Sequence, residues 1–481
     1  MRPARLSLAP PAVAALLLAL NLFGAPRFKE DEGEITAQAY GLLHASLQPA
    51  LFGYHHSPAV PLQLAGWLVP AQLLPSLTVI EASRLAMVGL AAVTALMVFR
   101  LGAKAAGPWQ GLGAGLLFAT CPLLVLYGRW VLPDPFSAAW LAGSVLLLLG
   151  SPASPRRHAA AGVLFGLAVL SKEVALVAGP GLLLLAWSGP AAGRGRRLLA
   201  AAAGTAVPVL AYLLWAASQG ALAGSSDSVA SGMLWQAGRL HDGGALNPNS
   251  RFYALAGAWV RAAPLPILGS LVGGGWLVGA GSSRATRALG VVALSFWLFF
   301  GSGLIVQDYY VVAALPFWCL AAVLGLVQLA TQLAGQAAAA RWLMAAAAAA
   351  LVVVLTALPT YVAVLSGDHA ASQRDLLSWE RAHLSSSSVV VDDGTDSLDL
   401  RYGDRLGGHS VNLACNYWNR WCLRSGAGPV YVVLDGELDY LAKTDPAGFG
   451  DLARRAHQGR QVWSATGLSD GDYIRLMQLA A

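Results

Sequence analysis

Charged residues are scarce in this chain of 481 residues. Asp, Glu, Lys and Arg make up only 12% of it, and 56% is hydrophobic, whereas soluble proteins carry about 25% charged residues. This composition is typical of an integral membrane protein and excludes an ordinary soluble enzyme. The sequence also lacks the spacings of zinc sites, phosphate-binding loops and nucleophile elbows, so nothing in it indicates the chemistries that those motifs serve.

The few charges are unevenly distributed. Residues 1–365 contain 20 basic and only 10 acidic residues, whereas residues 366–481 contain 11 basic and 15 acidic ones. We therefore expect a transmembrane domain over 1–365 and a small water-soluble domain over 366–481. The positive excess belongs to the membrane part alone, so it gives no indication of nucleic-acid binding.

Long apolar stretches predict an α-helical polytopic membrane protein. A helix of about 20 residues crosses the apolar core of a bilayer, and on that criterion eleven stretches are candidate spans. They cover residues 6–26, 82–100, 108–126, 136–150, 158–171, 174–188, 198–216, 263–281, 288–306, 311–331 and 343–365. The first could be a signal peptide, but no clear small-x-small cleavage site precedes the acidic stretch that follows it, so we interpret it as an uncleaved anchor.

The basic residues predict the orientation of these spans. If the amino terminus is cytoplasmic, the inner connections carry twelve Lys or Arg and no acid, and all ten acids lie in outer connections. This bias follows the positive-inside rule. It predicts a plasma (inner) membrane protein with an extracytoplasmic carboxy-terminal domain and two long outer loops, at 27–81 and 217–262.

Stretches rich in β-forming residues predict strands in the tail at 389–391, 429–434, 461–463 and 473–476, with a helix at 448–458, which indicates a small α/β domain. Residues 391–394 read as a strand end with a helix cap, or as part of a metal site. The aromatic segment 416–421 could stack on sugars or pack against the membrane. Cys415 and Cys422 are either a disulfide or two thiols, while Cys121 and Cys319 are expected to be packing residues inside spans.

Polar residues of the membrane part gather at the predicted outer ends of the spans. An acidic cluster at 30–34 includes Asp31 and Glu32. Asp308 lies between the predicted spans at 288–306 and 311–331. The others are Tyr54, His55, His56, Arg129, Asp134, Lys172, Glu173 and Tyr310. Taken singly, the acidic cluster could be a solvated charge run, and Arg129 with Asp134 an interfacial ion pair.

Taken together, these carboxylates and cations predict a cavity at one membrane face. A carboxylate there could remove a proton from an acceptor hydroxyl, and the cations could stabilise a phosphate leaving group. Such a site suits transfer of a sugar from a lipid-linked phosphate. Charged residues in spans can also mark a translocation route, so a polytopic transporter or lipid-linked sugar flippase is the alternative.

The order of these motifs resembles the GT-C membrane glycosyltransferases that use polyprenyl-phosphate sugars, including protein O-mannosyltransferases and lipid A aminoarabinose transferases. The resemblance extends over about residues 1–330. It rests on Asp31-Glu32, His56-Ser57-Pro58, Arg129 to Asp134, Gly166 to Lys172, and Tyr310 to Pro316. Where the aminoarabinose transferases have Lys-Pro-Pro, this chain has His56-Ser57-Pro58, and Glu173 rather than Gly follows Lys172.

The resemblance implies an inverting transfer to a hydroxyl of a lipid, glycan or protein acceptor. It implies that Asp31, with Glu32 beside it, is the catalytic base and that Asp134 orients the site. Residues implied to meet the donor phosphate are Arg129, Lys172 and His56, and those expected to line the substrate cavity are Tyr54, His55, Asp308 and Tyr310. We predict no required cofactor, although a divalent cation is possible.

Overall fold

The computed structural model describes most of the chain. The residues outside the description are 1–5, 44–56, 72–76, 151–153, 189, 225–227, 238–241, 282, 305, 386, 393–412, 418–422, 424–427, 466–472 and 480–481. The described residues form a large helical bundle followed by a small mixed sheet with flanking helices.

Fifteen helices make up the described part of the region expected to be membrane-bound. In chain order they are α1 Ala9–Ala19, α2 Glu30–Leu43, α3 Ala59–Ala71, α4 Val79–Ala106, α5 Pro108–Ala119, α6 Pro122–Tyr127, α7 Pro133–Gly150, α8 Pro155–Ser171, α9 Gly179–Trp187, α10 Arg194–Ser218, α11 Val229–Ala237, α12 Arg251–Ala262, α13 Pro264–Ala280, α14 Arg284–Phe300 and α15 Val311–Ser366. Short 3-10 turns lie at Glu173–Ala178, Gly244–Leu246 and Asp308–Tyr310. Several helices begin with proline, which fits the first turn because the amide it lacks has no partner there.

Each of the eleven apolar stretches contains helix, but fewer helices are long enough to be membrane spans on their own. Among the described residues three helical segments are sufficiently long and apolar, at Val79–Ala106, Arg194–Ser218 and Asp308–Gln332. A fourth is possible if α12 and α13, which meet at 111°, form one broken span. The figure of eleven spans therefore stays a prediction.

The last two predicted spans lie within one helical segment, α15, instead of two helices joined by a loop. A straight helix of its 56 residues would be about 84 Å long. Yet the adjoining Tyr309 contacts Asp31, and Val364 near the other end accepts a hydrogen bond from Asn21. Residues 21–31 reach at most about 36 Å when fully extended, so the helical segment must turn back. The predicted inner loop is helical because alanine, the best helix former, dominates it.

Glycines bring α8 and α10 into close contact. A Cβ atom at Gly162 would lie 2.0 Å from the Ala201 carbonyl oxygen, and one at Gly204 would lie 2.1 Å from that of Ala159. No larger residue fits at either crossing without separating the helices. Small residues at such crossings are typical of helix packing in membranes, and α8 is the helix that leads to Lys172.

The tail forms the expected α/β fold. Its strands are β1 Val389–Asp392, β2 Leu413–Asn416, β3 Val430–Asp435, β4 Arg460–Ser464 and β5 Ile474–Gln478, and its helices are α16 Ala371–His383, α17 Gly436–Thr444 and α18 Pro446–Gln458. The sheet order is β2-β1-β3-β5-β4, with β1 parallel to β2 and β3 and with β5 antiparallel to β3 and β4. The four predicted strands and the 448–458 helix are present; β2, α16 and α17 were not predicted.

Candidate active site

Asp31 is held by a tyrosine from a distant part of the chain. It is the second residue of α2 and is half-buried. Its Oδ2 atom accepts a 2.7 Å hydrogen bond from the hydroxyl of Tyr309, which is buried in the 3-10 turn before α15. The indole of Trp130 packs edge-on against the Tyr309 ring, with centroids 6.3 Å apart. The carboxylate is thus oriented while part of it stays accessible.

Asp134 and Lys172 form the second part of the cluster. Asp134 lies in the first turn of α7 and is fully buried, and neither of its carboxylate oxygens has a hydrogen-bond partner among the described residues. It interacts electrostatically with Lys172, Glu173 and Asp31. Lys172, 7% exposed, follows the last residue of α8. A buried carboxylate without hydrogen bonds is costly unless a cation lies nearby, and Lys172 supplies one.

The adjacent tyrosines Tyr309 and Tyr310 join the two parts. The Nζ atom of Lys172 donates a 3.2 Å hydrogen bond to the hydroxyl of Tyr310 and lies 4.3 Å from the centre of its ring. The Tyr310 and Tyr309 rings pack edge-on, with centroids 5.3 Å apart. The fold therefore brings Asp31, Asp134, Lys172 and Tyr310 into one cluster, with Glu173 next to it.

Asp308 lies at the edge of this cluster. Its Oδ2 atom accepts a 2.9 Å hydrogen bond from the hydroxyl of Tyr127, and its Oδ1 atom accepts one from the backbone N–H of Tyr309. The indole of Trp259 in α12 donates to the Asp308 carbonyl oxygen at 2.9 Å. These contacts fix the 3-10 turn that carries both tyrosines.

Glu32 faces away from the cluster, toward α4. It is fully buried, and its two oxygens accept hydrogen bonds from the Arg84 guanidinium at 2.9 and 2.7 Å. The backbone N–H groups of Val131 and Lys29 also donate to this carboxylate. The neighbouring acids Asp31 and Glu32 thus have different surroundings, and Glu32 is fully used in holding other residues.

Arg129 is likewise bound to the protein itself. It is fully buried, and its guanidinium donates to the carbonyl oxygens of Leu17, Asn21 and Ala25, at 2.7, 3.3 and 2.8 Å. Burial first, and then the nearby Arg84, lowers the pKa of Arg129 to about 10, so the side chain remains cationic at neutral pH. Its two terminal nitrogens satisfy one carbonyl in the last turn of α1, which the helix end leaves free, and two in the segment that follows.

Four of the predicted residues lie outside the described part of the chain: Tyr54, His55, His56 and Cys422. Cys121 and Cys319 are buried, as expected of packing residues. Within the described ranges no group of three or more His, Cys, Asp or Glu could hold a metal ion.

Sequence reasoning missed Tyr309 and Arg84. Tyr309 differs from its neighbour Tyr310 only in the direction in which the 3-10 turn points it, which no local pattern reveals. Arg84 did leave a signal, because it is a charged residue within a predicted apolar span (82–100), and such residues are normally paired and functional.

Part of the chain matches a known family model. Residues 66–221 match the family model described as dolichyl-phosphate-mannose-protein mannosyltransferase. That segment includes Asp134 and Lys172 but ends before Tyr309 and begins after Asp31. No curated protein matches the chain by sequence.

Solved structures match over nearly the whole chain. The structure of ArnT from Cupriavidus metallidurans in the apo state has a TM-score of 0.61 at 15% identity, and that of ArnT bound to undecaprenyl phosphate has 0.60 at 13%; each match covers 97% of both chains. The oligosaccharyltransferase AglB from Archaeoglobus fulgidus, in complex with an inhibitory peptide and a dolichol-phosphate, has 0.55 at 13%, covering 98% of this chain and 74% of AglB. The chain therefore has the GT-C fold of these membrane glycosyltransferases, which confirms the resemblance indicated by its motifs.

Proposed function

We propose that this chain transfers a sugar, with inversion, from a polyprenyl-phosphate donor to a hydroxyl of a lipid, glycan or protein acceptor at the outer face of the membrane. The observation that carries the proposal is the cluster in which Tyr309 holds Asp31 beside Asp134 and Lys172. A half-accessible carboxylate next to a buried cation is the arrangement that such a transfer needs.

Asp31 is the proposed catalytic base. As the acceptor hydroxyl attacks the anomeric carbon, its proton passes to Asp31, while the bond from that carbon to the phosphate oxygen breaks. A single base on the face opposite the leaving group gives inversion. The Tyr309 hydrogen bond fixes the carboxylate on its Oδ2 side and leaves Oδ1 to meet the acceptor.

Lys172 is the proposed ligand of the donor phosphate. Its ammonium group can stabilise the negative charge that the leaving phosphate gains, and the Tyr310 hydroxyl and ring orient it. Asp134 keeps this buried ammonium charged and in place. Because polyprenyl phosphate leaves readily once its charge is balanced, a proton donor on that side is not required.

Glu32 and Arg129 take positioning roles in this proposal instead of the catalytic and phosphate-binding roles expected from the motifs. The two terminal nitrogens of Arg129 donate to carbonyl oxygens of α1 and of the segment after it, and Glu32 accepts hydrogen bonds from Arg84 and two amides. Turning Glu32 or the paired nitrogens of Arg129 toward a substrate would break buried hydrogen bonds, each worth about 1.5–3 kcal/mol when a charge is involved.

The fold neighbours support a lipid-phosphate donor. One ArnT structure contains undecaprenyl phosphate, one AglB structure contains a dolichol-phosphate, and the family model over residues 66–221 is described by dolichyl-phosphate-mannose. The bias of Lys and Arg in the connections supports an outward-facing site with a cytoplasmic amino terminus. We therefore favour sugar transfer over transport of a lipid-linked sugar.

The test is transfer by the purified chain in proteoliposomes. Undecaprenyl phosphates carrying radiolabelled mannose, glucose or aminoarabinose serve as donors, and envelope lipids, glycans and proteins serve as acceptors. We expect one donor to label one acceptor class, and Asp31→Asn to lose turnover by at least about 100-fold while remaining folded. Glu34→Gln, which changes another half-buried acid of α2, is the matched control. Full turnover by Asp31→Asn, or uptake of donor without covalent transfer, would reject the proposal.

A further inference from the structure

The segment that leads to Asp31 is held through all of its backbone carbonyl groups. Residues 21–28 connect α1 to α2, and every one of their eight carbonyl oxygens accepts a hydrogen bond. An irregular segment normally leaves many such groups to solvent, so complete pairing indicates a fixed conformation. Asp31 is the third residue after this segment.

The hydrogen bonds come from three parts of the protein. Arg84 of α4 binds the carbonyl oxygens of Leu22, Pro26 and Arg27. Arg129 and Trp130, between α6 and α7, bind those of Asn21, Ala25 and Arg27. The remaining three carbonyls, those of Phe23, Gly24 and Phe28, are bound by the chain just after α15 and by α16 of the tail.

Among the hydrogen bonds to this segment, those of Gln373 in α16 lie nearest to Asp31 along the chain. Its side-chain oxygen accepts a 2.7 Å hydrogen bond from the N–H of Phe28, and its side-chain nitrogen donates a 3.1 Å hydrogen bond to the carbonyl oxygen of the same residue. Gln373 is 3% exposed. A side-chain amide that satisfies both backbone groups of one residue fixes that residue in position and orientation.

Phe28 transmits this constraint to α2. Its ring packs with Ile80 and Ala370 and lies 4.4 Å from the Arg84 guanidinium carbon. Only Lys29 separates it from α2, and the N–H of Lys29 donates to Glu32. The direction in which α2 starts, and therefore the position of Asp31, depends on where Phe28 is held.

We infer that Gln373 is a positioning residue for the base: α16 of the tail holds Phe28 and through it sets Asp31. This rests on the proposed function of Asp31 as the base. The tail then contributes to the chemical step without touching a substrate. Loss of the contact between Gln373 and Phe28 should therefore lower kcat and leave the KM for the donor unchanged.

Two substitutions at this position separate the hydrogen bonds from packing. Gln373→Glu keeps the acceptor for the Phe28 N–H but, when ionised, has no donor for the Phe28 carbonyl oxygen. Protonation of that Glu restores the donor on a side chain of the same shape. Gln373→Met has similar length and neither hydrogen bond at any pH.

We expect kcat of Gln373→Glu to be about tenfold below wild type at pH 8.5 and to approach it within about twofold at pH 5.5, each compared at equal pH. Gln373→Met should show a deficit of about tenfold at both pH values. The donor is the labelled undecaprenyl-phosphate sugar that wild type turns over best. Asp375→Asn, an exposed charge change on the same helix, should match wild type throughout.

A deficit of Gln373→Glu that does not vary with pH, wild-type turnover by both variants, or a raised donor KM at unchanged kcat would overturn the inference. Hydrogen exchange of the amides of residues 23–31 is measured in parallel, and we expect it to be faster by at least about tenfold in Gln373→Met. If wild type transfers no sugar, the proposed function fails by itself. Unchanged exchange in Gln373→Met would then overturn the contact's positioning role separately.

Discussion

The hydroxyl of Tyr309 donates a 2.7 Å hydrogen bond to the Asp31 carboxylate although 278 residues separate them. Because Tyr310 next to it contacts Lys172, one 3-10 turn aligns both the proposed base and the proposed phosphate ligand. A short turn that contacts both groups fixes the distance between them. Holding such groups in fixed positions around a substrate is a main source of rate acceleration.

Tyr309→Phe should reduce kcat by about tenfold and leave the donor KM within about twofold of wild type. One hydrogen bond to a charged group is worth about 1.5–3 kcal/mol, and its loss lets the carboxylate rotate while Lys172 stays in place. Steady-state transfer from the labelled donor measures both constants. Tyr440→Phe, an exposed tyrosine of the tail, is the control, and equal kcat for both variants would contradict the role of Tyr309.

Lys172→Gln should raise the donor KM and lower kcat, each by about tenfold or more, because the phosphate loses a cation in both the ground state and the transition state. Lys172→Arg keeps the charge and should retain more activity. Donor titrations at constant acceptor concentration measure the effect. Lys104→Gln, at the exposed carboxy-terminal end of α4, should behave as wild type, and an unchanged donor KM in Lys172→Gln would argue against phosphate binding.

Arg84→Met or Glu32→Met should each destabilise the protein by about 3–5 kcal/mol, since either leaves a fully buried charge without its partner. The double variant should cost less than the sum of the two. Unfolding in mixed micelles gives the free energies and their coupling. Arg454→Met removes the exposed ion pair with Asp451 and should change stability by less than about 1 kcal/mol. Additive effects at Arg84 and Glu32 would contradict this account.

Glu380 of α16 should make the tail less stable as the pH rises. It is fully buried and neither of its oxygens has a hydrogen-bond partner among the described residues; burial, and then the nearby Asp392, raises the pKa of Glu380 well above its ordinary value. The folded state therefore keeps a proton that the unfolded state releases. Between the unfolded and the folded pKa, the free energy of unfolding should fall by up to about 1.4 kcal/mol per pH unit.

Hydrogen exchange of the β1 amides at pH 5 to 8 measures this loss in the full-length protein. Glu380→Gln cannot ionise, so its opening free energy should lack that component and exceed wild type at the upper end of the range. Parallel pH dependences for the two proteins would contradict a raised pKa at Glu380.

The sequence predicted the helical class and the α/β tail because both depend on local patterns. Apolar stretches long enough for helices are unmistakable in residues 1–365, and strands such as Val430–Asp435 are short runs rich in β-branched and aromatic residues. The short strand Leu413–Asn416 was missed because its pairing with β1 supplies its regularity. The alanine-rich segment between the last two predicted spans is helical, as its composition favours, and joins both spans in one helical segment.

Asp31, Asp134, Lys172, Asp308 and Tyr310 were selected from the sequence because charges and polar groups are conspicuous where nearly everything is apolar. The resemblance implied that Asp31 is the base, but the local pattern did not show that Asp31 and Glu32 have different surroundings, since both are acids at the start of one helix. Consecutive helical residues point about 100° apart, which directs Asp31 to Tyr309 and Glu32 to Arg84. The same holds for Arg129: its charge is visible in the sequence, but its contacts with the carbonyl oxygens of Leu17 and Ala25 are not.

By itself the amino-acid sequence determined where helices form and where polar groups are available, since both follow from composition and spacing along the chain. Tertiary structure alone decided which of those groups meet: Asp31 with Tyr309, Lys172 with Tyr310, and Gln373 with Phe28. These partners are more than 100 residues apart, so their contacts depend on how helices cross and turn, and on which hydrogen bonds the buried backbone already uses.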